Sequence, residues 1–164
     1  MRTLLWFVAS VLIVSACGPA ANPAAPANTP MRAAKEAEVK YSIVAQGDPM
    51  VGEGVEPLTL ALRGDPPDAA ALAALPPEAQ TQLQAELARD PAALLLVIYG
   101  GRQPGNGYTV TLESIAVSGD EWLITYKINA PEGGAAAVQT HPYLIVKLDQ
   151  VDTPADHVKF QAAP

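Results

Sequence analysis

The sequence predicts a mainly β (α+β) fold: an antiparallel, sandwich-like β domain with one amphipathic helix inserted between strands. Three observations predict it. Leu94-Leu95-Leu96-Val97-Ile98-Tyr99 is an unbroken apolar run of strand length that stops at Gly100-Gly101. Several other stretches alternate apolar and polar residues, the period of a half-buried strand. A single segment, Pro77 to Arg89, switches to helical spacing.

Taken in order, Met1-Arg2-Thr3 supplies a short positive start, and Leu4 to Val14 is an apolar segment of signal-peptide length. It is too short to span a hydrocarbon layer of roughly 30 Å. The segment runs into Val14-Ser15-Ala16-Cys17, which resembles the bacterial lipobox. That resemblance implies cleavage after residue 16 and lipidation of Cys17, the only cysteine in the chain. Several acyl chains on one residue anchor stably, since each buried CH₂ contributes about 0.8 kcal/mol. The expected location is extracytoplasmic and membrane-anchored, at an outer membrane or cell surface, because Gly18 rather than Asp follows the cysteine. Gly18 to Pro30 contains no large apolar side chain, so residues 17–38 read as a lipidated cysteine and tether. Met31 to Glu38 carries mixed charges and reads as a short helix or as more tether.

The domain is expected over residues 39–164. Val39, Tyr41, Ile43 and Ala45 are the apolar set of a first strand, ended by Gly47-Asp48-Pro49. Val51 to Glu56 is a glycine-rich loop or distorted edge. Leu58, Leu60 and Leu62 mark a second strand, and Gly64-Asp65-Pro66-Pro67 stops it. Asp68 to Leu75 suits a short helix. Pro77 suits the first position of the longer one, where its missing N–H costs nothing. That helix places Ala79, Leu83 and Leu87 on one face, and Asp90-Pro91 ends it.

After the apolar run at Leu94–Tyr99, a Gly/Pro/Asn loop makes a tight connection to a strand beginning at Tyr108. Val110 and Leu112 share one face, but the next large apolar residues are Ile115 and Val117. The parity flip places a bulge near Glu113-Ser114. Ser118-Gly119-Asp120 has hairpin-turn composition. Trp122, Ile124, Tyr126 and Ile128 form the next strand, and Ala130 to Gly134 a longer turn. Ala135 to Thr140 reads as a weak strand. Leu144, Val146 and Leu148 are the apolar set of another, and His157 to Phe160 forms a last edge.

The net charge is −7, spread along the chain, which argues against nucleic acid, a ligand that selects a clustered basic face. No catalytic, cofactor or metal site is predicted. His141 and His157 belong to no metal-binding spacing and read as exposed or loop histidines. No G-x-S-x-G elbow or phosphate-binding glycine motif occurs. Glu113 and Glu121 lie on either side of a hairpin, where solvated strand positions are expected. Trp122 and Tyr126 read as core. Tyr108 reads either as a packing anchor for its loop or as the flank of a recognition surface.

Gly100-Gly101-Arg102 to Gly107-Tyr108, the hairpin around Gly119, Pro131-Glu132-Gly133-Gly134, and Pro142-Tyr143-Leu144-Ile145-Val146 resemble together the C-terminal domain of the PrcB family of protease-complex subunits. The resemblance covers about Leu94 to Leu148 and has Asn106 where that family usually has glycine. It implies an exported, non-catalytic accessory that binds another protein, an envelope protease being one candidate partner; a structural envelope lipoprotein with no specific partner is an open alternative. The candidate binding residues are Arg102, Pro104, Asn106, Gly107, Tyr108, Gly133 and Gly134. A second resemblance is to chagasin-like cysteine-protease inhibitors. Pro104-Gly105-Asn106-Gly107-Tyr108 fits their Pro-x-x-Gly-Tyr loop and Gly133-Gly134 their glycine-rich second loop, while their Arg-Pro-Trp third loop is absent.

Overall fold

In the computed structural model, residues 35–36, 39–134, 136–149 and 151–164 are described. The signal peptide, Cys17 and most of the tether lie outside these residues. Among the described residues, two four-stranded sheets, two α-helices and a short 3-10 helix (Ala155–His157) make up the domain. One sheet has the order β2-β7-β4-β3, formed by β2 (Tyr41–Gly47), β3 (Leu58–Leu62), β4 (Leu94–Tyr99) and β7 (Tyr143–Leu148). The other has the order β1-β5-β6-β8, formed by β1 (Lys35–Glu36), β5 (Thr109–Ser118), β6 (Glu121–Asn129) and β8 (Val158–Ala162). Helices α1 (Ala69–Ala74) and α2 (Pro77–Arg89) connect β3 to β4.

The layering explains why the apolar run at β4 does not alternate. β4 lies inside its sheet, paired antiparallel with β3 and β7. Leu94, Leu96 and Ile98 face the second sheet, packing with Val110, Ile115, Ile124 and Tyr126. Leu95, Val97 and Tyr99 face the opposite way, onto Ala79, Leu83 and Leu87 of α2. A strand covered on both faces needs apolar residues at both parities. β7 is built alike: Leu144, Val146 and Leu148 turn to the second sheet, while Tyr143 and Ile145 turn to the helix. The sequence marked only the first three as buried. On the helix side, Lys147 bonds Asp90 at 2.5 Å and sits 3.3 Å from the buried Glu86. The hydrogen bond to Lys147 holds the Asp90 carboxyl below its usual range.

Several expectations hold. The parity flip in β5 is a register shift between Leu112 and Ser114. Pro77 opens α2, and Asp68 caps α1 through a 2.7 Å bond to the Ala71 N–H. Others change. In β2 the register slips between Ile43 and Ala45, so Val44 packs inward while Tyr41 and Ile43 are exposed. Lys35–Glu36, read as tether or short helix, pair antiparallel with Val117 and Ala116. The connection after β4 is no tight turn within one sheet, because β4 and β5 belong to different sheets. Of the stretch read as a weak strand at 135–140, only Thr140 pairs among the described residues, in an isolated bridge with Gln103. The last strand forms, but it runs parallel to β6.

Candidate functional site

At one end of the domain three connections converge: residues 48–57 between β2 and β3, residues 100–108 between β4 and β5, and residues 130–142 between β6 and β7. Backbone and short polar side chains lace them together. The Gly107 N–H donates to Asp48 Oδ2 at 2.6 Å, and the Arg102 N–H donates to the Val55 carbonyl at 3.1 Å. Gln103 and Thr140 exchange backbone hydrogen bonds of 2.8 and 3.2 Å, and the Thr140 hydroxyl donates to the Gly105 carbonyl at 2.6 Å. Asn106 Oδ1 accepts from the Ala136 N–H at 3.1 Å. Gly107 adopts φ +84°, and a side chain there would meet the Pro131 ring at 3.1 Å. Backbone hydrogen bonds satisfied by neighbouring loops hold an irregular segment in one shape.

Beneath the loops lies a buried polar pair. Tyr99, the last residue of β4, is fully buried, and His141 is 3% exposed. Their rings are parallel within 3°, with centroids 6.1 Å apart. The Tyr99 hydroxyl donates to the Gly54 carbonyl at 2.6 Å and lies 2.6 Å from His141 Nδ1. A carbonyl can only accept, so the tyrosine proton goes to Gly54 and the imidazole supplies the N–H of the second bond. Nδ1–H is therefore the tautomer this network assigns. Burial lowers the His141 pKa, and the nearby Arg102 cation lowers it further. Burial likewise raises the Tyr99 phenol. The pair is a neutral brace that fixes Gly54, while the His141 N–H of the backbone donates to the Pro49 carbonyl at 2.9 Å.

Of the sequence-predicted site residues, Arg102, Pro104, Asn106, Gly107, Gly133 and Gly134 are exposed, and Tyr108 is half-buried. Asn106 and Gly107 reach the 130–142 loop directly. Gly133 (φ +86°) and Gly134 (φ +92°) stand at that loop's open tip. Cys17 lies outside the described residues.

One correction applies: His141 is a buried, hydrogen-bonded residue and not an exposed one. The 48–57 connection, in which Val51 to Glu56 reads as a glycine-rich loop or distorted edge, is also an integral wall of this end. Its hydrogen-bond partners are 45 and more residues away in sequence, so no local pattern announces the contact. The spacing Gly52-x-Gly54 was the available signal, since glycines recur where backbone lies against a side chain.

Glu113 and Glu121 do not form a pair. Glu113 accepts from Thr111 at 3.1 Å, and Glu121 bonds Lys159 at 2.5 Å. Trp122 and Tyr126 pack in the core as expected. Among the described residues, no group of three His, Cys, Asp or Glu side chains is placed to hold a metal ion.

The segment that runs from β4 through β7, and so carries two of the three loops, is the one that family comparison picks out. Residues 94–149 match the PrcB C-terminal family model. The PrcB-like segment spans 56 of the 164 residues, counted from 94 to 149 inclusive. No curated protein and no solved structure matches the chain. Within the fold, the PrcB-like segment supplies the two central strands of the first sheet and the β5–β6 hairpin. β2, β3 and both helices complete the core from outside it.

Proposed function

We propose that this chain is a lipid-anchored, extracytoplasmic protein-binding module, an accessory or stabilising subunit of an envelope protease, and that it does no chemistry itself. The observation that carries the reading is the braced presentation of the 100–108 loop by its two neighbours, within a segment matching the PrcB C-terminal family. Exposed loop residues on a rigid β scaffold are suited to recognition. The titratable pair nearest them is buried beneath the loops and serves to position backbone. The lipobox at Val14–Cys17 supports attachment through Cys17, with the membrane as a second partner. Crosslinking in the native envelope followed by affinity recovery of the full chain tests the reading. A reproducible stoichiometric partner, with a protease among the candidates, is expected; recovery of the chain alone refutes it.

A second reading is favoured by one observation: Asn106 and Gly107 meet the loop that carries Gly133-Gly134. Neighbouring loops of this composition are what a chagasin-like inhibitor wedges into a protease cleft. It predicts slowed turnover of a papain-like enzyme, lost in Gly107→Val. Full activity of that enzyme in the presence of excess chain removes this reading.

A further inference from the structure

A groove lies next to this end and outside the PrcB-like segment. Residues 50–53 form one wall of this groove of about 550 Å³, whose other side is the junction between α1 and α2, with Ala73, Leu75, Pro77 and Gln80. Leu75 is 1% exposed and supplies an apolar floor, yet Met50 and Val51 above it are 70% and 63% exposed. Contiguous apolar surface left in water and rimmed by polar residues is the kind of surface that partners cover. Methionine suits such a surface because its unbranched thioether adapts to the shape of what it meets.

The wall is fixed before anything binds. Gly52 sits so close to the His141 ring that a Cβ would lie 2.8 Å from its Cγ, and Gly54 lies equally close to the Ala74 carbonyl. The loop is thus seated between the buried pair and the end of α1, which reduces the ordering cost of binding. The electrostatics are one-sided. Among the described residues, Glu53 is the only charged one lining the groove, and Glu78 stands beside Pro77 in the first turn of α2.

From this juxtaposition we infer that the groove between Met50–Glu53 and the α1–α2 junction docks a protein partner through an apolar side chain flanked by arginine or lysine. Apolar contact supplies the affinity, and the acids select the flanking charge. An anionic lipid surface is disfavoured by the same carboxylates. The inference rests on the reading of the chain as a protein-binding module and adds the chemistry of what it recognises.

The probe is an acetylated hexapeptide with two leucines flanked by arginines, compared with glutamate-flanked and all-alanine versions. Each is titrated into the ¹⁵N-labelled full chain and followed by amide chemical shifts. The arginine–leucine peptide is expected to move the signals of residues 50–53, 73, 75 and 80. The alanine version should leave them unmoved. Both the glutamate-flanked version and the exposed-site variant Glu53→Lys should weaken binding at least tenfold. Absence of shifts at these residues, equal binding of both charge versions, or stronger perturbation by phosphatidylglycerol vesicles overturns the inference.

The envelope experiment separates it from the broader reading. A partner recovered equally by wild type and by Met50→Asp refutes the groove and leaves the module intact. Failure of wild type to recover any partner refutes the module, and the peptide titration still decides the groove.

Discussion

Alanine at Gly52 tests whether the 48–57 loop is seated on the buried Tyr99–His141 pair. An added Cβ would stand 2.8 Å from His141 Cγ and 2.9 Å from Nδ1, whereas ordinary contact begins at 3.4 Å, so loop or ring must yield 0.6 Å (3.4 − 2.8). The ring has little freedom to yield, because Nδ1 is held 2.6 Å from the Tyr99 hydroxyl. Forced overpacking of this kind costs about 1–3 kcal/mol. Gly→Ala at an unstrained position gains about 0.4–1 kcal/mol by restricting the unfolded chain. The net expectation is destabilisation of about 1–2 kcal/mol.

Urea unfolding measures it as a lower midpoint with an unchanged slope. The decisive arm is the same substitution in a His141→Ala background. With the ring gone, the 2.8 and 2.9 Å contacts are gone and only the residue 141 Cβ, at 3.2 Å, stays close, so Gly52→Ala should lose most of its cost. A coupling of about 1–2 kcal/mol is expected for groups in direct contact. Equal cost in both backgrounds, or no cost in the wild type, refutes the seating of the loop.

Four further outcomes follow from the same structure. His141 is neutral in the fold with a pKa below 6.5, so the unfolded chain binds the extra proton first. Its contribution is complete above about pH 6.5 and falls as pH drops toward the folded-state pKa; His141→Gln should flatten that slope in unfolding midpoints between pH 7 and 5. Tyr99→Phe removes the donor to Gly54 and the acceptor for His141, leaving buried groups unpaired at a cost of about 1–3 kcal/mol, read by thermal unfolding. Leu96→Ala empties a fully buried site between the sheets and should cost about 2–5 kcal/mol. Leu123→Ala, on a 36% exposed side chain, should change the urea midpoint little by comparison. Lys147→Met strands the buried Glu86 beside Arg89 alone and should lower the midpoint more than Lys159→Met, whose partner Glu121 is exposed.

Much of the fold was written locally. The run at Leu94–Tyr99 reported a strand covered on both faces, and the displaced apolar residues Ile115 and Val117 reported a bulge that the register confirms. The same logic failed in β2. There Ile43, Val44 and Ala45 are all apolar, so a one-residue slip leaves no mark in the pattern, and the slip sends Ile43 to solvent. The parallel pairing of β8 with β6 depends on where the chain returns after Val151, which short-range periodicity does not encode.

The candidate site divides the same way. Arg102 to Tyr108 stood out as a glycine-lined loop because turn chemistry is local. His141 stood before Pro142 with no local cue to burial, since the groups that bury it, Tyr99, Gly52 and Gly54, come from two distant segments. Val51, at the start of the glycine-rich loop, carries no local cue that the α1–α2 junction lies opposite it.

The most direct test of the central claim, that the converging loops are the docking face, is position-dependent photo-crosslinking in the native envelope. A benzophenone amino acid is placed at the exposed loop position Arg102 or at Leu123, in β6 of the other sheet. Crosslinking to one defined protein from position 102, with none from position 123, is the predicted result. Equal adduct yields from both positions, or adducts from 123 alone, contradict it.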